Sequence, residues 1–169
     1  TAMPTRTGGS LMRVYRDTRF SNNKLPYKTN IGIQFRHERA KDVHAPGFYV
    51  HIEPDEAFVG VGMWRPESEL LRQIRERIVA RSAEWKKATG SAAFKRSFNL
   101  GGESLLRPPR GFDKEHPLID DIKRKSFIAV REMSVEDCLD SKFQQRVETA
   151  FKQATPFMQF LCDAVGVKL

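Results

Sequence analysis

Cysteine is scarce: Cys138 and Cys162 are the only two in 169 residues, and both fall in segments that read as helix. A disulfide-dense secreted scaffold is therefore excluded. One bridge remains open, but a reduced, cytoplasmic setting is the expectation. Long hydrophobic runs are missing too. No stretch approaches the roughly 18 apolar residues of a transmembrane helix, and "TAMPTRTGGSLMR" carries no apolar signal-peptide stretch, though a trimmed start would hide one. Nor is there a Walker-type glycine loop, a nucleophile elbow or a dinucleotide fingerprint, so the enzymes built on those motifs receive no support.

What is present describes an ordinary folded domain. An apolar fraction of 40% and a charged fraction of 30% in 169 residues suit one domain with a single core. The net charge of +8 is unevenly spread. Residues 1–50 carry nine Lys/Arg against three Asp/Glu, whereas residues 132–169 carry four against six. A basic first third directs attention to a negatively charged partner, set against the plainer use of Lys and Arg as solvated surface.

After residues 1–10, expected to be flexible, "LMRVYR" reads as a short strand and "SNNKLP" as a turn. "NIGIQFR", "GFYVHIE" and "FVGVGMW" alternate apolar and polar positions, as half-buried strands do. An even hairpin loop places Val50 and Ile52 on one face with Val59, Val61 and Met63, and Asp55–Glu56 is the loop expected. One helix is expected from Pro66 to Gly90, then a long loop with one short strand, a short helix near "HPLIDDIKRK" and a last strand in "SFIAVREM". Ser134 and Asp137 resemble a capping box, and Thr155–Pro156 reads as the start of a further helix. The fold class is α+β: a single domain, residues 1–169, whose mostly antiparallel sheet is packed by helices.

That register gives the sheet a second face bearing Tyr49, His51 and Glu53 beside Phe58, Gly60, Gly62 and Trp64, with Gln34 and Arg36 on the same side. In the expected pairing His51 lies opposite Gly60 and Tyr49 opposite Gly62. Glycines beside Tyr and His make either a floor for a ligand or a seat for a tightly packed helix. His51 and Glu53 share the face, but no third ligand has recognisable spacing, so no metal is assigned. The spacing of seven between His37, His44 and His51 matches no ligand pattern.

Two loops concentrate positive charge. "VYRDTRFSNNKLPYKT" carries Arg16, Arg19, Lys24 and Lys28 around Asp17, and "LLRPPRGFDKEHP" carries Arg107, Arg110, Lys114 and His116. Guanidinium forks suit phosphate or carboxylate, and prolines stiffen the second loop. The plainer alternative is that Arg–Asp pairs tie the loops together, with Asp113 or His116 near a helix cap.

The blocks "YRDTRFSNNKLPYKTNIGIQF", "GFYVHIEPDEAFVGVGMWRPE", "RPPRGFDKEHP" and "KRKSF" resemble, in order, those of an uncharacterised family, domain of unknown function 2461. The resemblance spans about Leu11 to Met133. It maps recurring residues onto Arg16, Asp17, Arg19, Phe20, Lys24, Pro26, Tyr27 and Lys28. It also maps them onto Gly60, Gly62, Pro108, Pro109, Gly111, Asp113, His116, Pro117, Lys125 and Phe127. The resemblance implies no reaction. It also implies a helical segment before the first block, where this chain carries only "TAMPTRTGGSLMR", so one wall of a pocket is expected to be missing.

The first functional expectation is a domain, and open to being an enzyme, that binds a phosphorylated or otherwise anionic small ligand through converging basic loops. Arg16, Arg19, Lys24, Lys28, Arg107, Arg110 and Lys114 would hold the anion, and Tyr49, Gly60 and Gly62 the remainder. His51 and His116 are the acid/base candidates, because imidazole titrates near neutrality unaided. No cofactor is indicated, and the sequence leaves the oligomeric state open. Sequence-tolerant nucleic-acid binding, with Tyr15, Phe20, Tyr27 or Phe112 stacking on bases, is one alternative. An interaction domain for an acidic protein is the other.

Overall fold

The computed structural model describes residues 3, 9–20, 22, 24–36 and 46–169. The side chain of Arg36 and all of His37 and His44 lie outside the described set. Among the described residues the alternating segments form β1 (Ile31–Arg36), β2 (Gly47–Ile52), β3 (Ala57–Met63), β4 (Asn99–Gly101) and β5 (Phe127–Met133). They make one antiparallel sheet in the order β1-β2-β3-β5-β4. "LMRVYR" is no full strand: Leu11 bridges Ile33, and Tyr15 bridges Tyr27.

The hairpin between β2 and β3 keeps the expected faces but slips by two residues. Tyr49 lies opposite Gly60 and His51 opposite Phe58. The two-residue loop is Pro54–Asp55, closed where the Glu53 N–H donates to the Glu56 carbonyl at 2.8 Å. Proline has no N–H to give to a ladder and suits the second position of a turn, so the turn forms around it.

The helices are α1 (Ser68–Ala80), α2 (Ser82–Gly90), α3 (Ala92–Ser97), α4 (Ile119–Ile122), α5 (Val135–Leu139) and α6 (Phe143–Ala164). The single helix expected from Pro66 starts at Ser68 and breaks at Arg81. There the Ser82 hydroxyl donates to the carbonyls of Ile78 and Val79 at 2.9 and 3.1 Å, competing with the backbone ladder. Within the expected loop, Ser91 caps α3 by accepting from the Phe94 N–H. The Ser134–Asp137 capping box starts α5. The break expected at Thr155 is absent, and α6 runs through Pro156. Burial of Ala150, Ala154, Phe157 and Leu161 along one stripe outweighs the hydrogen bond the proline omits.

The core lies on one face of the sheet. Val50, Val59, Val61, Met63, Phe127 and Ala129 meet Ile74 and Ile78 of α1, Trp85 of α2, Phe94 of α3 and the buried stripe of α6. The opposite face carries the residues that alternate with these.

Candidate functional site: the open face of the sheet

A cavity of about 560 Å³ lies over that opposite face, spanning β1 to β5. Its lining includes Met12, Gln34, Tyr49, Phe58, Gly60, Gly62, Trp64, Ile128 and Val130, and no residue of any helix. Among the described residues no helix packs on the glycine-bearing face. At Gly60 an added Cβ would touch Tyr49 and Phe58 at 3.8 Å, ordinary van der Waals contact, so glycine there lowers the floor without being required by the backbone. Gly32 lets the Tyr49 side chain lie across β1: a Cβ there would stand 2.7 Å from the tyrosine oxygen. The walls are chiefly aromatic and aliphatic. One polar atom in them, Oε1 of Gln34, is buried without a hydrogen-bond partner.

At the end of the floor nearest the hairpin loop, three polar side chains converge on His51. The Tyr49 hydroxyl is 3.0 Å from Nδ1, and the Asn30 amide is 3.4 Å from the same nitrogen. On the other edge of the ring, Nε2 is 3.5 Å from Oε1 of Glu53. The ring stacks on Phe58 with centroids 4.7 Å apart and planes 11° apart, which fixes its orientation. Burial, with a smaller contribution from the Glu53 charge, raises the Tyr49 pKa, so its hydroxyl stays protonated and can donate. His51 is the expected acid/base candidate that has both a cavity beside it and partners to orient it.

The first basic loop folds back as a short ribbon. Arg16 N–H donates to the Pro26 carbonyl at 2.9 Å and Lys28 N–H to the Val14 carbonyl at 2.8 Å, with the Tyr15 and Tyr27 rings 5.5 Å apart. Two of its cations are tied locally. Arg19 grips Asp17 through Nε and Nη2, at 3.0 and 2.7 Å, and Lys24 Nζ donates to the Thr18 carbonyl at 2.9 Å. The Arg19 hydrogen bonds hold the Asp17 carboxyl below its ordinary range. The side chains of Arg16 and Lys28 have no hydrogen bond or ion pair among the described residues. One foot of the ribbon, Met12, lines the cavity, and the other, Asn30, contacts His51.

The second basic loop lies elsewhere. It leaves β4 at Gly101, which pairs with Ile128, whose other neighbour is Gly62. The first loop enters β1 at Ile31, which pairs with Ile52 at the other end of the strands. The two loops therefore occupy opposite ends of the sheet, next to opposite outer strands. Arg110 and His116 border a separate groove against α1, shared with Arg72 and Glu76. His116 Nδ1 accepts the Leu118 N–H at 3.1 Å, and Lys114 pairs with Glu115 at 3.9 Å. Arg107 is exposed. In "KRKS", Arg124 binds Asp121 and Lys125 binds Glu103, both at 3.0 Å.

Of the expected site residues, Tyr49, Gly60 and Gly62 line one cavity with His51 beside it, and Arg16 and Lys28 sit on the ribbon that rises from Met12 and Asn30. Arg107, Arg110, Lys114 and His116 are not brought there. Sequence reasoning missed Met12, Asn30, Glu56, Ile128 and Val130. Alternation in "SFIAVREM" marks Ile128 and Val130 as sharing a face, but nothing local says that β5 pairs with β3.

The fold and site define a class: a single α+β domain with one antiparallel sheet, helices on one face and an open, glycine-floored aromatic cavity on the other. The chain belongs to the family described as conserved hypothetical protein (DUF2461), whose profile matches residues 1–160. Comparison with curated proteins gives no match. No helix among the described residues is long and apolar enough to cross a membrane.

Proposed function

We propose that the chain binds a small molecule on the open face of its sheet. A flat apolar part lies over Gly60 and Gly62, and an anionic group, phosphate by preference, turns toward Arg16 and Lys28. The observation that carries this is the position of the ribbon's feet, since Met12 and Asn30 both belong to the site. A cavity of about 560 Å³ is of small-molecule size. Gln34 Oε1 offers an acceptor to a ligand N–H or O–H, which would end its isolation. If the bound molecule reacts, His51 is the group placed to move a proton. A nucleic acid fits less well, because the two basic loops lie at opposite ends of the sheet and form no continuous track among the described residues.

Thermal shift across phosphate, pyrophosphate, nucleotides, sugar phosphates and a short single-stranded oligonucleotide tests the reading. Wild type, Gly60→Val and an Arg16→Ala/Lys28→Ala double variant run in parallel. A ligand at about a hundredfold its Kd stabilises by about 2.7 kcal/mol, a visible shift for a domain of this size. The expected result is a small phosphate compound that shifts wild type, fails on Gly60→Val and weakens on the double variant. A shift that survives Gly60→Val, or none from any small compound, would remove the open face as the site. A salt-sensitive oligonucleotide shift would move the reading to nucleic acid.

A further inference from the structure

We infer that His51, Glu53 and Glu56 form a site for a divalent first-row transition-metal ion at the turn between β2 and β3. Spacing alone offered no third ligand, because Glu56 lies beyond the turn on the other strand. The slipped register supplies it. With Pro54–Asp55 as the loop, Glu53 and Glu56 face each other across the hairpin end. One donor atom from each of His51, Glu53 and Glu56 then falls within 4.8 Å of the others.

The imidazole is set as a ligand would be. Its Nδ1 edge is taken by the Tyr49 hydroxyl at 3.0 Å, and its Nε2 edge points at Glu53, 3.5 Å away. A cation at Nε2 requires the tautomer with Nδ1 protonated; the Tyr49 oxygen is placed to accept that proton at 3.0 Å, and the Asn30 amide nitrogen, 3.4 Å from Nδ1, then gives up its contact. This is how outer-shell partners fix metal-bound histidines. Stacking on Phe58 holds the ring in that plane. Bonds of about 2.0–2.2 Å from nitrogen and oxygen donors to one ion bring the donors to within about 3.5 Å of each other. Nε2 and Glu53 already meet this, and Glu56, exposed on the turn, is free to swing in.

Charge points the same way. Neither glutamate has a Lys or Arg partner among the described residues, and Glu53 instead faces the His51 ring. An imidazole beside two carboxylates suits Zn²⁺, Mn²⁺ or Fe²⁺ better than Ca²⁺ or Mg²⁺, which prefer all-oxygen sets. Three protein ligands leave coordination positions open, and Glu56 also lines the cavity. An oxygen of a molecule on the floor could complete the shell, and with the ion bound His51 serves as a ligand in place of moving a proton.

The test uses the full chain, stripped with a chelator and titrated with Co²⁺ by visible absorption, with Zn²⁺ in competition. No organic ligand is present, so the outcome is independent of the thermal-shift panel. Wild type is expected to bind one Co²⁺ per chain, displaced by Zn²⁺. Glu53→Gln and Glu56→Gln should each weaken binding at least about tenfold. Asp55→Asn, on the same turn but outside the cluster, should bind like wild type. Circular dichroism confirms that each variant is folded. Absence of saturable one-to-one binding, or equal loss in Asp55→Asn and Glu56→Gln, would overturn the site.

Discussion

At the scale of single residues, Gly60 and Gly62 both belong to the floor yet have different reasons to be glycine. Gly62 has φ +118°, and a Cβ there would come 2.0 Å from the Phe127 carbonyl oxygen. Gly60 has an ordinary strand backbone, and its Cβ would make only ordinary van der Waals contact with Tyr49 and Phe58, from 3.8 Å. Gly62→Ala should therefore cost at least about 3 kcal/mol, since it adds a backbone clash to left-handed strain. Gly60→Ala should stay within about 1 kcal/mol of wild type, because it restricts the unfolded chain without strain. Urea midpoints of the two variants decide this, and equal losses would contradict it. Sequence alternation put both glycines on one face, but their difference was not legible there. It depends on β5, which approaches β3 from a distant part of the chain.

At the scale of elements, start and stop signals were readable where local chemistry decides and misleading where packing does. Ser134 and Asp137 make their capping box because both partners lie within one turn. Pro156 reads as a helix start, yet buried side chains before and after it hold α6 as one piece. Arg75 belongs to the second kind. It sits on α1 in a helical pattern like any surface arginine, but it is buried. Its Nε donates to the Ile122 carbonyl at 2.7 Å and its Nη2 to the Arg124 carbonyl at 3.0 Å. These carbonyls lie at the end of α4, where a short helix leaves acceptors unsatisfied. Arg75→Met would strand both and should cost about 2–4 kcal/mol by urea unfolding, while Arg75→Lys, with one ammonium in place of a fork, should recover part. A loss below about 1 kcal/mol would show that water replaces the fork.

At the scale of the whole molecule, period-two alternation sorted the sheet into a core face and an open face, and charge marked two loops. Neither could say that those loops flank opposite ends of the sheet, because that follows from the strand order. The same architecture makes α6 the spine of the core, and Cys162 near its end reports on the whole fold. Cys162 is buried, and burial, with the Asp163 charge, pushes its thiol up to about 11. Cys138 is half-buried on the short α5, and its smaller rise has the same first cause. Both are free thiols. At pH 8 a disulfide-exchange reagent should modify Cys138 first, and Cys162 at least about a hundredfold more slowly, since the thiolate attacks and buried thiols react only after opening. Mild urea should accelerate Cys162 far more than Cys138. The raised pKa also gives a sign: a group bound more tightly to its proton in the fold stabilises it below the unfolded thiol's pKa of about 8.5. That contribution is lost as pH rises toward about 11, where the buried thiolate must form. Urea midpoints should accordingly fall across that interval, and less in Cys162→Ser than in wild type. Equal modification rates at pH 8 would mean that the end of α6 opens on its own, and that Cys162 reports local fraying instead of the global fold.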